Sequence, residues 1–202
     1  MNGLLSVARF IDRMNTWIGK GAFWLVLVAV LVGSVNAVVR KVFSISSNAF
    51  LEAQWYLFAA VFLLCAPYAL LKNQHVRIDL ISNRLAPRAR AWVELFGTFF
   101  FLMPICLIVV KLSWTVFVTA LLSHEMSPSE GGLPLWPARM LVPLGFGMLF
   151  LQGISQAVKC IGFLKGDCVD PLEREVKPSA EEELAESIRQ QREAAARQEQ
   201  SK

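Results

Sequence analysis

Residues 49–90 read AFLEAQWYLFAAVFLLCAPYALLKNQHVRIDLISNRLAPRAR. From Ala49 to Leu71 the one charged side chain is Glu52. About 20 apolar residues, wound as a helix, cross a hydrocarbon core of roughly 30 Å. The following segment carries Lys72, Arg77, Arg84, Arg88 and Arg90 against Asp79. Short loops rich in Lys and Arg stay on the cytoplasmic side. The stretch therefore predicts both a membrane span and its direction.

Three more apolar runs flank it, giving spans at about 21–39, 49–71, 92–122 and 138–164. Backbone groups in lipid must bond within their own segment, and these runs lack the alternation of a barrel strand, so each is predicted helical. The expected fold is an all-α membrane protein. It has four transmembrane helices, an N-terminal interfacial amphipathic helix over residues 1–20 and a polar tail over 166–202. Composition agrees: 55% of residues are hydrophobic and 18% charged, a balance unusual for a soluble domain. The net charge of +4 arises from cations beside the spans, so the expected partner is membrane lipid and not nucleic acid.

Arg9, Arg13 and Lys20 precede the first span, and Lys159, Lys165, Arg174 and Lys177 mark the far end of the chain. The loop between the last two spans offers only Arg139, near Glu125 and Glu130. Lys and Arg counting places both termini inside, with Arg40-Lys41 as the dissenting pair. In the lead, Leu4, Leu5, Val7, Ala8, Phe10, Ile11 and Met14 fall largely on one helical side, opposite Arg9 and Arg13, as on a helix lying in the interface. The alternative is a simple extension of span one. Val35-Asn36-Ala37 loosely fits a cleavage site, but the long lead before it argues against a signal peptide.

Local signals refine the spans. Ser46-Ser47-Asn48 can cap span two, and Glu52 complements its helix dipole. His75, Arg77 and Asp79 alternate with apolar residues; Asp79 is expected to fix the turn into span three. Pro87 suits a first helical turn. Span three, at roughly 46 Å, exceeds one bilayer core and must tilt, kink near Pro104 or project. Lys111 near its outer end either snorkels or meets another subunit. The loop 123–137 is rich in Pro and Gly, and Trp136 is either an interface anchor or part of an apolar docking surface. Beyond Pro178, Ser179 and Glu182 form a possible capping box in a solvated tail.

Catalytic patterns are missing. His75 and His124 fall in loops on opposite sides, which argues against haem ligation, and no nucleophile, zinc or phosphate motif occurs. No cofactor is expected, and no enzyme activity. Asn36 and Gln152 are the main polar intrusions, with Ser113 and Ser155 nearer the ends, where a transport path needs ionisable groups at mid-depth. The residues thus describe a non-conducting partner of a larger membrane protein, with Asn36, Gln152 and the region of Lys111 as candidate contacts.

Three stretches carry a family likeness: Glu52-Ala53-Gln54-Trp55-Tyr56-Leu57-Phe58, His75-Val76-Arg77-Ile78-Asp79-Leu80 and Gly132-Leu133-Pro134-Leu135-Trp136-Pro137. Over about Leu4 to Lys165 the chain resembles the small membrane subunit of tripartite ATP-independent periplasmic transporters, most of all the branch labelled for mannitol or chloroaromatic compounds. The resemblance implies a scaffold in the bacterial inner membrane. Its partners would be a large permease subunit and a periplasmic binding protein, importing an organic acid with sodium. Glu52, His75, Arg77, Asp79, Lys111, Pro134, Trp136 and Pro137 are the candidate partner or structural residues. The rival expectation is a tetraspan scaffold or assembly protein unconnected with transport.

Overall fold

The computed structural model describes residues 2–43, 48–72 and 86–166. Helix α1 covers Asn2–Phe43, α2 Asn48–Leu71, α3 Pro87–Gly97, α4 Met103–Leu122 and α5 Trp136–Lys165, and a π-helical turn, Thr98–Leu102, joins α3 to α4. Four helical lengths are long and apolar enough to cross a membrane: Gly3–Phe43, Asn48–Leu71, Pro87–Leu122 and Trp136–Lys165. Each expected span lies inside one of them. His75, Arg77 and Asp79, the pair Ser46-Ser47 and the tail beyond Gly166 lie outside the described residues.

The amphipathic lead is not set off as a helix of its own, because α1 runs unbroken into the first span. Nor does its apolar side pack as a unit. Ala8, Ile11, Asn15, Gly19, Ala22, Ala29 and Asn36 form the buried stripe, while Leu4, Val7 and Phe10 point outward. The stripe is built from small and polar residues. Lipid tails are as apolar as leucine, so helices in a bilayer associate through close approach and hydrogen bonds and not by hiding large side chains. Large apolar groups accordingly cover the outside, among them Trp24, Phe62, Trp92 and Phe99.

Helix α5 contacts every other helix and is the most buried of the four long lengths. It starts with Pro137 in its first turn, where a missing N–H costs no bond. It ends at Gly166, whose φ of 85° closes the helix in the left-handed region. Helix α1 packs on α2 and α5, α2 also packs on α5, and α4 packs on α5.

Prolines shape two of these contacts. Pro67 cannot donate to the carbonyl of Leu63. Gly145 of α5 sits against that residue, and a Cβ there would lie 2.7 Å from Leu63 Cβ and 3.1 Å from Leu63 O. Pro104 lies in the first turn of α4, just past the π turn, in which the Met103 N–H reaches back to Thr98 O. A proline ring crowds the carbonyl four residues earlier, and the preceding turn widens to accommodate it. Span three is thus continuous helix from Pro87 to Leu122 with one irregular turn.

The contact at Gly145 has a built-in control. Gly147, on the same helix, has nothing within 4 Å of its Cβ direction. Gly145→Leu is expected to destabilise the bundle by about 1–3 kcal/mol through overpacking, whereas Gly147→Leu leaves it near wild type. Thermal unfolding in detergent, followed by circular dichroism, measures both.

Candidate functional site

Two polar constructions occupy opposite ends of the bundle. The first surrounds Glu52, a little over one turn into α2 and only 8% exposed. Its carboxylate accepts hydrogen bonds from the Ser127 hydroxyl and, at 2.7 Å, from the Leu133 N–H. Both donors belong to the loop between α4 and α5, so one carboxylate pins that loop to α2.

The loop is folded to meet it. Met126 and Pro134 pair as a single β-bridge. Ser127 N–H donates to Leu133 O at 3.0 Å, Leu135 N–H to Glu125 O at 3.0 Å and Gly132 N–H to Ser129 O at 2.9 Å. The tip requires glycine twice. Gly131 has φ +68°, and a Cβ on Gly132 would lie 2.5 Å from Ser127 Cβ. Further ties come from Tyr56, whose hydroxyl donates to Pro134 O at 3.3 Å, and from Asn48, whose amide donates to Glu130 O at 3.2 Å. Arg139 closes the loop's base with a two-pronged bond to Glu125, at 2.5 and 2.7 Å. Glu52, Pro134 and Pro137 of the sequence reading are thus gathered at one end, with Trp136 partly exposed at the start of α5. Lys111 is not part of this assembly; its side chain is exposed on α4.

The second construction joins α1 to α5. Asp12 is its centre. One carboxylate oxygen accepts from the Ser155 hydroxyl at 2.7 Å and from the Gln152 amide at 3.1 Å, and the other forms an ion pair with Lys159. Asn15 donates to Gln152 Oε1 at 2.6 Å, and Ser155 also reaches the Ala8 carbonyl at 3.2 Å. Gln152 and Ser155 are 0% exposed and Asn15 1%. The expectation that Gln152 faces a partner subunit is therefore corrected: it is spent inside the chain. Asn36 is likewise buried, on the packed stripe of α1.

The sequence reading passed over Asp12 and Asn15 and took Lys159 for a flanking cation. Helical spacing contained the signal. Asp12 and Asn15 are three apart; Gln152, Ser155 and Lys159 are spaced by three and four. Each set lies on one face of its helix, and the two faces complement one another.

Both constructions give measurable expectations. Asp12→Leu or Lys159→Met alone is expected to cost about 3 kcal/mol, since each strands a largely buried charge. The double variant should recover much of that loss, as seen in a thermal double-mutant cycle. Glu52→Ala should free the loop while leaving the spans intact. Amide hydrogen exchange at Leu133 would then rise by about tenfold or more, as expected for loss of a charge-assisted bond, while amides in the middle of α5 keep their protection.

The family model for tripartite ATP-independent periplasmic transporters, DctQ component, matches residues 7–162. No curated protein and no solved structure matches the chain. The matched region takes in the four long helices apart from the first few residues of α1 and the last three of α5, together with the Glu52 loop assembly and the Asp12 network. The chain therefore belongs to the DctQ component family of the tripartite ATP-independent periplasmic transporters, as the small, multi-pass membrane subunit of such a system.

Proposed function

We propose that this subunit is a non-conducting scaffold. In this reading it packs on the large permease in the bacterial inner membrane, with both termini cytoplasmic, and presents the loop 123–137 on the periplasmic side to help dock the binding protein. The system it serves imports an organic acid with sodium, and the mannitol or chloroaromatic label marks the branch it resembles most. His75, Arg77 and Asp79 would fix the cytoplasmic turn between α2 and α3.

One observation carries the scaffold reading. The strongest polar groups of the helices are occupied by one another. Asp12 is taken up by Lys159, Ser155 and Gln152, and Glu52 by Ser127 and Leu133. A substrate or sodium site needs polar groups with bonding capacity to offer at mid-depth. Here the two carboxylates lie toward the ends of the bundle, where they fasten helix to helix and loop to helix. The fixed loop supports the docking role, because a surface held in one conformation loses less entropy on binding.

Uptake in reconstituted vesicles tests the proposal. The large subunit and binding protein are expected to transport well only when this chain is present. Substrate preference should stay unchanged when this chain is exchanged for another small subunit that still assembles. Full uptake without the chain, or a preference that follows it, would refute the scaffold role.

A further inference from the structure

Three of the charged groups that the helices bring together have partners within the chain. Asp12 meets Lys159, Arg139 meets Glu125, and Glu52 holds the loop. Lys111 is different. Its side chain is exposed, and its ammonium has no hydrogen bond or ion pair among the described residues.

Depth makes this unusual. From Leu95 to Leu122 the one charged residue is Lys111. About 17 Å of helix rise separates it from Leu122. The polar boundary lies close beyond Leu122, because the loop that follows carries Glu125, Ser127, Ser129 and Glu130 and folds onto the start of α2 through Asn48 and Glu52. A run of this length is about 42 Å, so a core of about 30 Å centred on it leaves Lys111 roughly 11 Å inside the hydrocarbon. A lysine stem reaches roughly 6 Å toward the surface, too little to bring its head into water.

The surroundings indicate what covers it. Leu107, Ile108, Leu112 and Trp114 beside it are all more than half exposed, at 54%, 59%, 65% and 57%. The side of α4 that meets α5 is the other one, marked by buried Cys106 and Ala120. Thr115 and Thr119 follow Lys111 at successive turns, and their hydroxyls donate to the carbonyls of Lys111 and Thr115, at 3.5 and 2.9 Å. That track is narrow, and its polarity is turned back on its own backbone, so a second helix can approach closely. Ionisable groups within spans face protein and pair with opposite charge.

We propose that the Lys111 face of α4 docks a transmembrane helix of the large permease subunit that carries an Asp or Glu at matching depth, the two charges pairing inside the membrane. This rests on the reading of the chain as the small subunit of such a transporter. The partner's carboxylate is specified by charge complementarity.

Copurification of the large subunit with the tagged small subunit tests it. Wild type must first retain the large subunit; if it does not, the small-subunit reading itself fails. Given that, Lys111→Met is expected to lower the retained large subunit about tenfold and Lys111→Glu at least as far, with Lys111→Arg close to wild type. Because Lys111 faces outward, the variants should melt like wild type when purified alone, which separates docking from folding. Exchanging the membrane-embedded Asp and Glu residues of the large subunit for Lys, one at a time, should yield one that restores assembly with Lys111→Glu. Wild-type retention by both Lys111→Met and Lys111→Glu would show that the ammonium reaches lipid headgroups, and would overturn the proposal. Loss with no restoring exchange would overturn the ion pair.

Discussion

In hydrocarbon, moving a leucine from lipid to a helix interface gains little, so this bundle depends on contacts that lipid cannot imitate. The most consequential of these gathers on Asp12. A largely buried carboxylate would be costly alone, but Lys159 neutralises it, and Ser155 and Gln152 occupy one of its oxygens. That network fastens α1 to α5, and α5 is the helix that touches all the others. Where no polar bond acts, glycine takes over. Gly19 lies against Tyr68 and Gly145 against Leu63, each so close that a Cβ would collide.

The far end uses the same device for a different purpose. Glu52 joins a helix to a loop, and the loop contributes its own turn chemistry at Gly131 and Gly132. A loop held by a carboxylate, a tyrosine, an asparagine and an arginine–glutamate pair behaves as part of the scaffold. The two ends thus frame a dry middle, across which the helices differ mainly in how small their facing residues are.

Much of this architecture is legible in the chain. Four apolar runs and the cations around Lys72–Arg90 suffice for four spans, because the length of a span is set by the bilayer and not by tertiary detail. Glu52 and Pro134 stood out through their family pattern, and the structure brings them to one assembly. What escaped was pairing. Asp12 sits among cations in a stretch that reads as amphipathic, and hydropathy weighs it as a surface residue. Its value comes from Ser155 and Lys159, more than 140 positions away, and no local window contains both sides. The same limit applies to the lead: its pattern marks an apolar side with Leu4, Val7, Ala8, Phe10 and Ile11, but not that Ala8 and Ile11 pack with Asn15 inside the bundle while Leu4, Val7 and Phe10 stay outward.

The order of the chain turns this geometry into a matter of timing. Helix α5, the common neighbour, is made last, and Asp12 is made among the first residues. At 5–20 residues per second of synthesis, Asp12 waits roughly 7 to 30 seconds before Lys159 exists. Through that interval the early helices stand in or beside the membrane with a bare carboxylate and their α5-facing sides open to any neighbour. The final helix therefore acts as a keystone, and the nascent subunit is most exposed to wrong partners, to proteases and to insertion chaperones just before it arrives.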